Sequence, residues 1–358
     1  MSALTKQAVP AVRLGPVSWR VNLRAAVVAV GASAALVLAV CLGIAHGDPE
    51  LSLSEVIRSL TGRGTMATDL VVYELRLPQT AVAVLSGAAL GLSGALVQTL
   101  ARNPLASPDV IGVNAGAAVG AVGFLILVAG QTGEVGTDLM ARIGLPASAL
   151  VGGLLTGMLL LSLSGRGGAD SQRLILLGIG VSAALTAVTS YLIVTARLES
   201  AVHAQLWLTG SLNNRGWVEA TPIVLALVVG VPTALLLRPT LHAIALGGDT
   251  AKGLGVRLDR AQTVLLLGAV LLAATAVAGV GPLGFVAFVA PQLARRIAHT
   301  ATPPLVSSLL VGSTLVVIAD LVSRVLLPTP LAAGIVTSLI GAPYFIFLLL
   351  RYNRKRSV

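Results

Sequence analysis

Residues 241–260 read LHAIALGGDTAKGLGVRLDR and form the longest polar interruption in the second half of a strongly apolar chain. Apolar runs long enough to span a membrane lie on both sides of it. The pattern predicts two short helices broken at Gly247-Gly248, with Asp249 and Thr250 capping the second. From this loop alone, an ordinary connector and a docking element for a partner protein both remain open.

The composition identifies the environment of the chain. Its 358 residues are 56% hydrophobic and 11% charged, whereas a soluble domain carries about 25% charged residues. Repeated apolar stretches of about 20 residues therefore predict an all-α polytopic membrane protein. The excess of basic over acidic residues does not indicate nucleic-acid binding, because only 3% of residues are aromatic and no soluble basic domain is present. The single cysteine, Cys41, excludes a disulfide framework within the chain.

The chain divides into a short disordered cytoplasmic segment (1–24), a transmembrane domain (25–350) and a cytoplasmic tail (351–358). Ten spans are predicted, the eighth of them short: 25–46, 75–101, 112–130, 145–164, 173–196, 217–238, 261–281, 283–298, 305–327 and 332–350. A cleaved signal peptide is the alternative for the first span, but its apolar run has the length of a retained anchor. With the N-terminus inside, most of the 24 basic residues fall in cytoplasmic segments. Both termini and the 241–260 loop are therefore predicted to face the cytoplasm.

The most specific segment begins at Arg76 and reads RLPQTAVAVLSGAALGLSGALVQTLARNPLASPDVIGVNAGAAVG. It resembles the permease family of ABC importers for ferric siderophores, haem and vitamin B12. Further blocks of the family's pattern are found at 207–212, 246–256, 281–296, 319–324 and 334–343. The resemblance covers roughly residues 70–350, and the sequence of these motifs is most similar to that of subunits of the ferric enterobactin type.

This resemblance implies a type II ABC importer fold, like that of the vitamin B12 permease. It also implies a second permease subunit (a sister chain in a heterodimer, or a second copy), two ATPase subunits inside and one substrate-binding protein outside. The path for a ferric siderophore would be lined by the third, fifth, eighth and tenth spans. The chain itself has no phosphate-binding loop, catalytic triad, zinc motif or dinucleotide fingerprint. We therefore predict a transport subunit without a cofactor, with ATP-Mg on the partner ATPase.

The resemblance gives the 241–260 loop a role, because in the family it inserts into a cleft on the ATPase and transmits ATP-driven closure. Contact is expected mainly at 249–255. The predicted coupling residues are Leu246, Gly247, Gly248, Asp249, Thr250, Ala251, Leu254 and Gly255.

Arg76 and Arg324 stand at the predicted outer ends of spans, against the general charge distribution. The resemblance implies that they receive acidic residues of the binding protein, although arginines at span ends also snorkel to the surface. Gln79 occupies the position of the family's second arginine. One of the two arginine contacts with the binding protein at this point is therefore missing. Asp320 is predicted to pair with Arg324 at i,i+4 spacing rather than to act in transport.

Two Asx/Ser-Pro pairs, at 103–104 and 107–108, are predicted to force the backbone out of helix at the end of the second span. Asp109 is then placed to cap the third span. Such backbone at membrane depth must be buried in protein or line a cavity, so a rigid turn and a substrate contact remain alternatives. The candidate pathway or gate residues are Asn103, Pro104, Asn114, Trp207 and Ser211.

Other functions are less favoured. The four histidines are scattered, and Gln292 stands where many relatives carry histidine, so no metal site is predicted. An ion-coupled secondary carrier would need intramembrane charges for coupling, and the spans hold almost none apart from Asp320. Vitamin B12 and haem remain alternatives to a ferric siderophore as the imported substrate.

Overall fold

The computed structural model describes residues 11–14, 17–20, 23–47, 51–129, 139–164, 171–325 and 331–354. Long apolar helices dominate these residues, and the predicted fold class is confirmed. In chain order the helices are α1 Leu23–Ala45, α2 Leu53–Leu60, α3 Met66–Asp69, α4 Leu77–Leu100, α5 Val113–Phe124, α6 Leu139–Ser164, α7 Ser171–Thr195, α8 Leu198–Leu208, α9 Trp217–Leu236, α10 Arg238–Ala245, α11 Gly248–Gly253, α12 Leu258–Val280, α13 Val286–Ala298, α14 Leu305–Val325 and α15 Ala333–Arg354. Two π-helical segments, Leu70–Arg76 and Leu125–Ala129, precede α4 and follow α5.

The expectation of disorder throughout the N-terminal segment is wrong for residues 11–14 and 17–20. Ala11–Leu14 (β1) and Val17–Arg20 (β2) form an antiparallel hairpin in which Val12 pairs with Trp19. The alternation of apolar and polar residues in Val17–Arg20 is typical of a strand. The rest of that segment before α1, and positions 355–358 of the predicted tail, lie outside the described residues.

Eight helical stretches among the described residues are long and apolar enough to cross a membrane. They coincide with all the predicted spans except the third and the eighth. Those two are also helical but shorter, with an apolar stretch at Val113–Leu127 and the helix Val286–Ala298. The eighth span was predicted to be short, and it is.

Three stretches form the centre of the bundle. The most apolar 18-residue stretch within Met66–Leu100 is 83% buried, that within Leu258–Val280 is 72% buried and that within Leu305–Val325 is 61% buried, whereas the corresponding stretches of the other candidate spans are 11–33% buried. Helix α4 contacts α12, α13 and α14, while α5 packs between α6 and α7. The outward-facing helices are rich in exposed leucine, isoleucine and valine, as expected for a lipid-facing surface.

Glycine allows the central helices to touch backbone to backbone. A Cβ atom on Gly87 would collide with the backbone of Gly312, and one on Gly312 would collide with the carbonyl of Gly87. The α5–α6 pair is built in the same way, with Gly116 against Gly152. Close approach of this kind gains dispersion contacts in lipid, where no hydrophobic force drives helices together. A bulky residue at Gly312 would separate α4 from α14.

Helix α4 also defines the two ends of the bundle. Arg76 precedes it, and Arg102 follows it about 36 Å further along the helix axis. We call the end at Arg76 and Arg324 the arginine-pair end. The opposite end, where Arg102 approaches Gly247, is the loop end.

Candidate functional site

The 241–260 loop contains two short helices, α10 and α11, as predicted, although α10 begins earlier, at Arg238. The break lies at Gly247, whose φ of 123° is a conformation that favours glycine. Gly247 occupies the N-cap position of α11, and no side chain caps that helix. The predicted capping by Asp249 and Thr250 is wrong, because the glycine turn brings Asp249 inside the first helical turn.

Two leucines protrude from this loop. Leu246 is 71% exposed and Leu254 is 65% exposed, whereas Ala251 is fully buried in the main apolar core. Exposed apolar side chains on a surface that also carries charge are typical of a protein-binding patch. Of the predicted coupling residues, Ala251 holds the loop to the bundle, and the exposed ones are Leu246, Asp249, Thr250, Leu254 and Gly255.

The surroundings of the two leucines are basic. Lys252, Arg257 and Arg260 are exposed on the same loop. Arg102 approaches from the neighbouring connection, with a guanidinium nitrogen 3.8 Å from the place where a Cβ atom of Gly247 would lie. The loop end therefore presents apolar side chains within a field of positive charge.

Beneath this surface lies a buried pair of glutamines that the sequence analysis did not identify as a unit. The Gln292 amide nitrogen donates to the Gln98 side-chain oxygen at 2.7 Å and to the Pro104 carbonyl at 2.9 Å. Gln98 donates to the Phe288 carbonyl at 3.1 Å, and Arg295 donates to Gln292 at 3.2 Å. These bonds attach the non-helical 101–112 connection to α13. Glutamine in an apolar helix beside Asn-Pro is the signal that could have found the pair.

The 101–112 connection is non-helical and largely buried, as predicted from its proline pairs. Asn103 accepts a hydrogen bond from the Leu105 amide at 2.9 Å, which makes it part of the turn. The predicted capping of the third span by Asp109 is wrong, because Gly112, with φ of 89°, is the N-cap residue of α5. Burial raises the pKa of Asp109 to about 6, against the opposing effect of a hydrogen bond with Asn114.

The arginine-pair end is built differently. Arg76 is only 4% exposed and donates to the carbonyls of Ile44 and Ala45 at 2.6 and 2.9 Å, at the C-terminus of α1. Arg324 reaches the same helix end through the carbonyl of Gly43 at 3.4 Å. Cationic side chains at a helix C-terminus complement its dipole and satisfy its last carbonyls.

The predicted i,i+4 pair is confirmed at this end. An Arg324 guanidinium nitrogen lies 2.6 Å from an Asp320 carboxylate oxygen. The Gln79 amide donates to the other Asp320 oxygen at 3.0 Å. Gln79 therefore links α4 to α14 through Asp320.

The five pathway candidates do not form one cluster. Asn103 and Pro104 lie with the glutamine pair at the loop end. The Ser211 amide donates to the Val280 carbonyl at 2.9 Å, which places Ser211 and the buried Trp207 at the far end of α12. Asn114 lies in the first turn of α5 with its side-chain oxygen unpartnered.

Among the described residues, no group of three or more His, Cys, Asp or Glu side chains could hold a metal ion.

Comparison with known proteins adds the family. A model described as the FecCD transport family matches residues 35–351. The ferric enterobactin transport system permease protein FepG of Escherichia coli (strain K12) is 41% identical over 323 residues, covering 90% of this chain and 95% of that protein. The achromobactin transport system permease protein CbrC of Dickeya dadantii (strain 3937) is 37% identical over 342 residues, covering 95% of each. A solved structure, a metal-chelate type ABC transporter in an inward-facing conformation, matches with a TM-score of 0.77 and 27% identity over 91% of this chain and 99% of that one.

Proposed function

The chain belongs to the FecCD transport family, and on that premise we propose that it is the transmembrane permease subunit of an ABC importer that moves a ferric siderophore across the cytoplasmic membrane. The substrate class is supported by relatives named for ferric enterobactin and achromobactin, at 41% and 37% identity. As a transport subunit, the chain would contribute to the translocation pathway, and a separate ATPase subunit would hydrolyse ATP.

The structural observation that carries this proposal is the exposed loop at 241–260. Leu246 and Leu254 project from two short helices that are joined by a glycine turn and anchored by the buried Ala251. Exposed leucines on a compact projection of this kind are stabilised when they are buried in a cleft of another protein. We assign that cleft to an ATPase subunit, where ATP-Mg would bind.

The proposed assembly has two permease subunits, two ATPases and one extracytoplasmic binding protein. A sister permease is the preferred second subunit, and a second copy of this chain is the alternative. We place the loop end and both termini in the cytoplasm, because most basic residues then lie inside. The arginine-pair end then faces the binding protein.

At that outer face, Arg324 is a better anchor for the binding protein than Arg76. Both guanidinium groups approach Gly47, and a Cβ atom there would lie 3.4 Å from a nitrogen of each. Arg76 is the more buried of the two and is bonded to two carbonyls of α1. The Arg324 side chain keeps 15% of its surface exposed. An acidic side chain of the binding protein would meet Arg324 beside Gly47.

For the pathway, we retain Asn103, Pro104, Asn114, Trp207 and Ser211 as candidates with separate roles. Asn103 and Pro104 are bonded into the buried glutamine network, which suits a gate at the loop end. Trp207 and Ser211 belong to the opposite end. Asn114, with its unpartnered oxygen, is the candidate for direct contact with the siderophore.

The test uses cells that lack the native protein and are complemented with wild type or with Leu246→Glu plus Leu254→Glu. We expect the loop variant to reach the membrane, to lose the ATPase on purification and to import no radiolabelled ferric siderophore. Its matched control is Leu53→Glu plus Leu60→Glu, the same change at two exposed leucines of α2, which should keep the ATPase bound.

Two results would contradict the proposal. Import at the wild-type rate by the loop variant would show that the loop is only a connector. Wild-type cells that take up labelled vitamin B12 or haem, but no ferric siderophore, would overturn the substrate assignment while leaving the ATP-driven mechanism intact.

A further inference from the structure

Two adjoining cavities open at the loop end of the bundle. The first has a volume of about 450 Å³ and lies between the 101–112 connection, the α10 region and α13. The second, of about 300 Å³, lies between the first residues of α1, α10 and the segment that leads into α14. Both cavities are lined by Thr99, His242, Ala301, Thr302 and Pro303. They therefore form one continuous depression, which we call the basic groove.

The groove collects positive charge without acidic neighbours. Three arginines and two histidines line it, and no aspartate or glutamate is among its described lining residues; the basic residues are Arg102, Arg238, His242, Arg295 and His299. The Arg215–Glu219 and Arg324–Asp320 ion pairs involve none of the residues that line the groove. Burial, followed by the charge of Arg238, lowers the pKa of His242. A cavity with this lining attracts an anion.

The backbone adds to this preference. The segment before α14 passes along the groove, and Leu305, the first residue of α14, lines it, so the positive end of this helix dipole lies at the edge of the groove. His299 has a φ of 52°, and this left-handed residue turns the chain so that residues 300–304 follow the wall. The arginine side chains that line the groove can donate hydrogen bonds to the oxygens of a phosphate.

The location favours a lipid as the source of that phosphate. Ala25, in the first turn of α1, lines the groove, and its carbonyl accepts a hydrogen bond from Ser307 at 3.2 Å. Helix α1 starts at this point, and Leu23–Ala45 is a candidate membrane span whose most apolar stretch is only 22% buried. A headgroup in the groove would thus lie next to an apolar helix face that can receive acyl chains.

We propose that the basic groove is a phosphate-binding site, occupied in the membrane by the headgroup of an anionic phospholipid. Basic pockets between helices at a membrane surface are suited to such headgroups. The site depends only on the position of the groove at the bundle end, and not on the identity of the transported substrate.

The experiment measures lipid binding by native mass spectrometry of the purified, delipidated full-length protein. The probes are dioctanoyl phosphatidylglycerol, dioctanoyl phosphatidylcholine and inorganic phosphate. The groove variant is Arg102→Gln plus Arg238→Gln. The matched control is Arg257→Gln plus Arg260→Gln, which removes the same charge from exposed positions of the loop outside the groove.

We expect phosphatidylglycerol to bind wild type and control alike, and to bind the groove variant about tenfold more weakly or worse. Phosphatidylcholine should bind all three proteins weakly. Equal binding of phosphatidylglycerol to wild type and groove variant would overturn the proposal. Inorganic phosphate that binds as tightly as phosphatidylglycerol would overturn the lipid assignment. A groove variant that binds phosphatidylglycerol normally but no longer retains an ATPase subunit would identify the groove as a protein-docking site instead.

Discussion

The two ends of the bundle use the same residue type in opposite ways. At the arginine-pair end, Arg76 and Arg324 are bonded to carbonyls of α1, and Arg324 also pairs with Asp320. At the loop end, Arg102 and Arg238 line a groove without an acidic neighbour. An arginine whose donors are satisfied within the chain stabilises the fold, whereas one without an acidic partner is available to another molecule.

The buried carboxyl groups show the same contrast. Asp320 accepts hydrogen bonds from Gln79 and Arg324. Asp109, at the loop end, has one side-chain oxygen with no partner. The paired buried carboxyl group therefore lies at the arginine-pair end and the one with an unpartnered oxygen at the loop end, and substitutions at the two ends should separate stability from interaction.

The largest expected effect is that of Asp320→Ala. The change leaves the Arg324 charge buried without its carboxylate and removes the acceptor of Gln79, so the free energy of unfolding should fall by about 3–5 kcal/mol. Denaturation of the purified protein by sodium dodecyl sulfate, followed by circular dichroism, measures this loss. Asp249→Ala, the same substitution at an exposed loop-end position, should change stability by less than about 0.5 kcal/mol. If both variants unfold like wild type, the hydrogen bond from Gln79 to Asp320 does not hold α4 to α14.

A second, smaller effect concerns Asp109→Asn. Because the pKa of Asp109 rises to about 6 in the folded protein, from 3.8, the stability due to its protonation is complete below about pH 4 and is lost as pH rises through 6. The asparagine variant should therefore be more stable than wild type at pH 8, by about 2–3 kcal/mol, and nearly equal to it at pH 3.5. Thermal unfolding in detergent at both pH values measures the difference, with Asp249→Asn as the control. A difference that is the same at both pH values would contradict burial of an unmatched carboxyl group.

The smallest effect is expected for Arg102→Gln. This exposed arginine has no acidic partner in the described structure, so its replacement should change the free energy of unfolding by less than about 0.5 kcal/mol. Arg76→Gln removes two bonds to α1 carbonyls from a buried position and should cost about 2–3 kcal/mol. Parallel unfolding curves of the two variants test the contrast. Equal losses would show that the two ends do not differ in the way their arginines are used.

Much of this architecture could be predicted from the sequence because hydropathy is a local property. Ten helical segments lie at the ten predicted positions, since an apolar run of about 20 residues has few other structures in lipid. The i,i+4 pair of Asp320 and Arg324 was also predictable, because both residues lie on one helix face.

The features that the sequence did not predict have a common physical cause. They depend on long-range contacts or on backbone angles that no local sequence pattern encodes. The Gln292–Gln98 hydrogen bond joins residues 194 positions apart. Asp109 was expected to cap the third span, but the left-handed Gly112 takes that position. The Asp249 and Thr250 side chains were expected to cap the second loop helix, but Gly247 is its N-cap residue.

The contact of Gly87 with Gly312 also has a mechanical meaning. Between α4 and α14 no side chain separates the backbones at this level, so the two helices cannot slide past each other by one turn without a collision. Ser93 attaches α12 to the same unit through the Ala269 carbonyl. A push delivered where α12 leaves the loop is therefore not absorbed within the centre of the bundle. Helices α4, α12 and α14 should therefore move as one rigid body. A displacement at the loop end would tilt this unit at the arginine-pair end.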